Sequence, residues 1–269
     1  MNESHRRPDR TIGFGVIAGL APDLLAALAV EVERLGYGAF WINDSGRPEA
    51  DGLAGLATVA AAAPSLVLGV GVIPLDRRAP GAIAEHVRAL GLPLDRLRLG
   101  VGSGGSKQPL GLVRDGVGQL RVALPAARIF VSALGPRMSS LAGEVADGVL
   151  FNWAVPDRLA ETRLRVGEGE AAGGRRPIEQ WAYVRAAVGP NARDRLAQEA
   201  AQYARSPAYG RAFAAMGRPL ADVGVTGDDL GDQLRPYRDL LDGVVVRALP
   251  PAWDLDGALA IARAGAPRP

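Results

Sequence analysis

RIFVSALGPRMSSLAGEVADGVLFN, residues 128–152, reads as a strand, a helix and a second strand. Arg128–Ala133 and Gly148–Asn152 are short, near-continuous apolar runs, the pattern of strands buried on both faces of a parallel sheet. Between them lies a helix over Pro136–Val145. The same unit recurs in both directions along the chain. On the N-terminal side, strands at Thr11–Ile17, 38–42, 66–73 and 97–101 alternate with helices at 22–35, Gly52–Ala62, 80–90 and Pro109–Ala123. Pro80 fits a first helical position, and Gly36 ends the first helix as a C-cap. On the C-terminal side come a helix over Pro156–Ala172, strands at 180–188 and 243–247, and a helix over Leu255–Ala264. A doubly wound sheet could be built from such units. Eight of them in 269 residues, with no linker, favour closure into a TIM (β/α)8 barrel. The stretch 191–242, between strands seven and eight, holds two or three helices and reads as an insertion on the rim.

Composition narrows the function classes. Apolar residues make up 48% of the chain, enough for a sizeable core. The 31 basic and 29 acidic residues nearly cancel, and no basic run interleaves with aromatics, so a nucleic-acid role is not expected. Cysteine is absent, which removes thiolate catalysis, disulfides and Cys-based metal sites. Histidine occurs only as His5 and His86, so no metal site is expected. Residues 1–10 read as a polar, disordered tail, with 11–269 as a single domain. No apolar run approaches the ~18 residues of a membrane span, and the expected location is cytoplasmic.

In a barrel the ligand lies at the C-terminal ends of the strands. After strand five come Ala133, Leu134, Gly135 and Pro136, where free N–H groups and the helix dipole form a phosphate seat; an ordinary βα turn is the plainer reading. After strand four comes GVGSGG, residues 100–105, whose glycines, with Ser103, let a flat ligand approach the backbone. As a dinucleotide fingerprint it is poor, since no acidic partner follows at the right distance, and a flexible turn would read the same. Gly69 and Gly71 weaken strand three and mark a bulge or a close approach, or make room for bulky interior neighbours. Asp44 ends strand two as a carboxylate at the mouth, or as part of a solvated turn or a helix cap. Trp153, Tyr183 and Arg247 could face the cavity or serve as packing.

Five landmarks in order resemble the bacterial-luciferase-like superfamily of flavin- and deazaflavin-dependent oxidoreductases: LGYGAFWIND, LGVGVIPLDRRAP, RLRLGVGSG, VSALGP and LAGEVADGVLFN. Residues 135–152 are especially similar to its deazaflavin-dependent branch. The resemblance implies a cofactor contact at Asp44. It implies a bulge, cis in many members, at Gly71 and Val72 behind the cofactor ring. It places loop contacts at Gly102, Ser103 and Gly104, and a phosphate turn at Ala133, Leu134, Gly135 and Pro136. Members with a histidine after the strand-two acid have Ser45 here, and Gly105 stands where many have an acid. A single helix replaces the long segment that usually follows strand four. The resemblance therefore implies an oxidoreductase passing a hydride between coenzyme F420 and a small organic substrate, and a homodimer. Alternatives are an FMN-dependent monooxygenase and a barrel without catalysis. No residue is assigned as general acid or base, Asp147 is read as structural, and His86 is placed on the outer helix layer.

Overall fold

A computed structural model describes residues 11–44 and 50–267. Strands β1 (Thr11–Ile17), β2 (Ala39–Asn43), β3 (Val67–Pro74), β4 (Leu97–Gly102), β5 (Arg128–Ala133), β6 (Gly148–Asn152) and β7 (Glu179–Ala187) are followed by β8 (Val225–Thr226) and β9 (Gly243–Ala248). Each strand from β1 to β7 pairs with the next, and β9 bridges β7 to β1. Every pairing is parallel, so eight strands close into a barrel. The eighth barrel strand is thus β9. The two-residue β8 pairs with Ala186 and Ala187, beyond the last β6 pairing at Tyr183.

Helices α1 (Pro22–Arg34), α2 (Gly52–Ala62), α3 (Pro80–Ala89), α4 (Pro109–Ala123), α5 (Pro136–Val145) and α6 (Pro156–Ala172) cover the barrel, and α10 (Leu255–Ala264) completes the ring after β9. The expected insertion consists of α7 (Ala192–Ala204), α8 (Pro207–Met216), β8 and α9 (Leu230–Leu240). Among the described residues no helix is long and apolar enough to cross a membrane.

The period of two along each strand separates two cores. Phe40, Ile42, Leu68, Val70, Ile129, Val131, Val244 and Val246 face outward and pack under the helices. Ala39, Trp41, Phe130, Leu150, Trp181, Tyr183 and Val245 face inward and fill the barrel. The large inward rings lie over glycines. A Cβ on Gly69 would come 2.0 Å from Trp41, on Gly148 2.3 Å from Phe130, and on Gly243 2.2 Å from Trp181. A close-packed interior has no other space for three such rings.

The inward rows end in charge at the N-terminal face. Arg98 and Arg128 both pair with Glu179 there, at 3.2 and 2.8 Å. Asp147, just before β6, accepts from Ile129 N at 2.9 Å and pairs with Arg121 and Arg175 at 2.8 and 3.1 Å. This is the structural part expected of it. Asp147→Ala strands a backbone donor and two guanidiniums, and should destabilise the fold by ~2–3 kcal/mol in urea unfolding. A change under about 0.5 kcal/mol, the ordinary size for a surface substitution, would remove Asp147 from the barrel's framework. His86 Nε2 lies 2.7 Å from Asp51 Oδ2, joining α3 to the start of α2. That is an outer-layer contact, as the sequence implied.

Candidate active site

At the C-terminal end of the barrel is a cavity of about 450 Å³, within the range of small-molecule sites. The larger recess at the N-terminal face is rimmed by the Arg98, Arg128 and Glu179 ion pairs, on the face where barrels carry stability rather than chemistry. The cavity takes one wall from β2 to β5 and the other from β6, β7 and the insertion.

On the first wall, β3 leaves its register with β4: Val70 pairs Leu99 and Ile73 pairs Val101, so β3 carries one extra residue. The bulge contains a cis peptide bond between Gly71 and Val72. Glycines make this local shape possible. A Cβ on Gly100 would come 2.3 Å from the Val70 carbonyl oxygen, and one on Gly71 2.8 Å from Leu150. Gly71, Val72, Gly102, Ser103 and Gly104 all line the cavity. Gly104 has φ +57°, and a Cβ there would run into the Asp76 carboxylate. Asp76 also accepts from Gly105 N at 2.7 Å. The β4 loop thus owes part of its glycine content to a tie with the β3 loop.

Asp44 also lines the cavity, but its carboxylate is turned to protein. Oδ2 accepts from Gly52 N at 3.0 Å and lies 3.9 Å from Arg78. It ties β2 to the start of α2, whose N-cap is Asp51. Ser45 lies outside the described residues. The Asn43 side chain lines the same rim, and its Oδ1 is buried with no hydrogen-bond partner among the described residues.

The turn before α5 separates two spaces. Leu134 and Gly135 border the main cavity, and all of Ala133, Leu134, Gly135 and Pro136 border a neighbouring pocket of about 430 Å³ under α8. Gly135 is the N-cap of α5 in extended conformation, with open space where a Cβ would stand. The first turn of α5 contains no acidic residue and carries Arg137. Free N–H groups, the dipole and a cation together favour an anion here.

The second wall is polar and was only partly foreseen. Tyr183 lines the cavity, and its hydroxyl is buried without a hydrogen-bond partner among the described residues. Burial raises its pKa well above the ordinary phenol value, so the group stays protonated at neutral pH. Arg185 donates to Asn152 Oδ1 and stacks 4.0 Å from the Trp153 ring centroid. Asn152 Nδ2 donates to the Tyr209 hydroxyl at 2.9 Å. Tyr203, Ser206, Ala208 and Tyr209, from α7, α8 and the turn between them, close the wall. The insertion after β7 therefore forms part of the wall of the mouth. Trp153 is buried beside the neighbouring pocket at φ +55°, an unusual conformation for a bulky residue at a cavity edge. Arg247 faces a separate pocket of about 190 Å³.

The sequence profile of the luciferase-like monooxygenase family matches residues 14–118 and 116–240. The chain belongs to the luciferase-like monooxygenase family. Members of that family are oxidoreductases, monooxygenases among them. No curated protein sequence matches the chain. Its barrel is similar to an F420-dependent secondary alcohol dehydrogenase in complex with an F420–acetone adduct, at 16% identity and TM-score 0.78, covering 95% of this chain and 98% of that one. It is similar to the coenzyme F420-dependent tetrahydromethanopterin reductase from Methanopyrus kandleri, at 17% identity and TM-score 0.72, covering 96% and 98%. A type II Baeyer–Villiger monooxygenase from Pseudomonas putida, the oxygenating constituent of 3,6-diketocamphane monooxygenase in complex with FMN, is similar at 13% identity and TM-score 0.64, covering 96% and 98%. At these identities the likeness is one of fold. The luciferase-like barrel here brings Asp44, Gly71, Val72, Gly102, Ser103, Gly104, Leu134 and Gly135 to one cavity, with Ala133 and Pro136 on its neighbour.

Proposed function

We propose that this luciferase-like protein binds coenzyme F420 across the barrel mouth and passes a hydride between it and a small organic substrate. The observation that carries the reading is convergence: landmarks from four separate strands meet in one cavity, with an anion-ready helix start at its edge. The residues suit the group. The β3 bulge and the glycines of β4 offer a flat, side-chain-poor surface for a tricyclic ring. Asn43 Oδ1 is an unsatisfied acceptor for a ring N–H, and the turn at Ala133, Leu134, Gly135 and Pro136 would take the phosphate. When bound, the cofactor supplies the hydride chemistry. The chain's own residues position, exclude water and hold the Tyr183 proton. Among the described residues no histidine lines the cavity, and the Asp44 carboxylate is already engaged, which suits hydride transfer better than chemistry that needs a general base. Titration of the protein with F420 and with FMN is the test. Preferential binding of F420 is expected. Preference for FMN would transfer the assignment to an oxygen-using monooxygenase, and binding of neither would leave a non-catalytic barrel.

The family resemblance also underlies a homodimeric state. Light scattering at micromolar concentration should report twice the 28.0 kDa of the chain, and a monomer would refute it.

A further inference from the structure

Two buried arginines, Arg185 at the end of β7 and Arg247 at the end of β9, carry more charge than positioning a neutral substrate requires. Arg185 and Arg247 are each 3% exposed. Among the described residues a single carboxylate stands between them: Glu199 Oε1, from α7, lies 3.7 Å from Arg185 Nε and 3.5 Å from Arg247 Nη2. The Nε of each arginine is buried with no hydrogen-bond partner among the described residues. Two largely buried guanidiniums against one carboxylate leave an excess positive charge at the cavity wall, which favours an anion to complete the set. Arg185 is the member that lines the cavity, and the Tyr183 hydroxyl lies on the same wall without a partner.

We propose that Arg185 and Tyr183 form a carboxylate-binding subsite, and that the substrate is a small organic acid with an apolar body. The inference rests on the function proposed above and names the substrate class of that site. A single excess charge matches a monoanionic carboxylate better than a phosphate dianion, and a planar guanidinium meets a carboxylate in the same plane. Tyr203, Tyr209 and Leu150 supply apolar surface around it. Asn152 and the Trp153 ring hold the guanidinium in place, so its orientation is set before a ligand arrives.

Calorimetry with benzoate and its neutral counterpart benzamide separates this role from simple stacking of Arg185 on Trp153. The full chain is titrated without cofactor, and again with saturating F420 or FMN. Benzoate should bind at least about tenfold more tightly than benzamide, the size expected of a charge-assisted bond. Arg185→Gln should erase the difference. Glu199→Gln removes the carboxylate that competes for the guanidinium, so it should tighten benzoate and leave benzamide unchanged. A merely structural cluster would lose order in that variant and bind no better, so this arm decides the matter even if Arg185→Gln does not fold. Equal binding of the two probes, weaker benzoate binding by Glu199→Gln, or displacement of benzoate by the cofactor would each overturn the proposal. The last outcome would assign the charge to the cofactor's own anion. Because the benzoate arms are run without cofactor, their failure is distinct from a failure of the cofactor titration.

Discussion

Gly135→Asp is expected to lower affinity for a phosphate-bearing cofactor by at least about a hundredfold while leaving the fold as stable as the parent. The two halves of this result have separate causes. Gly135 is the N-cap of α5, has extended backbone, and faces open space where the new Cβ would stand. Aspartate is a preferred N-cap, and its carboxylate can accept from free N–H groups of the first turn. Those N–H groups are the ones a phosphate would use. The side chain would therefore satisfy the helix start and place a negative charge in the anion's position. Like-charge contacts of this kind cost several kcal/mol, and each ~1.4 kcal/mol is tenfold in affinity. Calorimetric titration with F420 and FMN, beside a thermal melt, reads both halves. Unchanged cofactor affinity in a folded variant would place the phosphate elsewhere.

How much of this was readable beforehand follows from the range over which each signal acts. The βα period is local, so the eight barrel strands and the insertion are legible, with boundaries within one or two residues. β8 escapes because two residues flanked by Gly224 and Gly227 leave no periodic pattern. The turn at α5 is legible because glycine and proline act on their own backbone. The Asp44 role is not, since its carboxylate meets Gly52 N and Arg78 only once α2 and the β3 loop are in place. The polar wall was the largest omission. Arg185 sits in the run WAYVRAA, where one arginine near a strand end reads as a rim residue. A signal was present, however. Extending the inward alternation of Trp181 and Tyr183 by one more step gives Arg185. The same step from Trp41 gives Asn43, from Leu150 gives Asn152, and from Val245 gives Arg247. The last inward residue of a barrel strand is where apolar filling gives way to chemistry. Glu199 carries no such signal, because only the packing of α7 on the mouth brings it to the two arginines.

The barrel interior offers the second large effect. Gly69→Ala places a methyl within 2.0 to 2.4 Å of three Trp41 ring atoms. The indole cannot swing away, because Phe130, Trp181 and Tyr183 surround it with ring centroids at 5.9, 5.4 and 6.0 Å. Overpacking of a rigid core costs ~1–3 kcal/mol, and this contact belongs at the upper end of that range or beyond it. Trp41→Leu alone opens a void and should cost ~3–5 kcal/mol, as large-to-small changes of buried aromatics do. In the double variant the methyl enters the space the indole vacated, so the two losses should not add. A double-mutant cycle in urea is expected to show at least about 1 kcal/mol of favourable coupling. Additive losses would mean that Gly69 is not there to seat Trp41, and the account of the interior as rings over glycines would fail. The same cycle bears on function. A Cβ on Gly71 would stand 3.4 Å from the Trp41 ring, so the indole supports the bulge from below. A shifted indole in Gly69→Ala should therefore weaken cofactor binding as well as the fold, and Trp41→Leu in the same background should restore part of both.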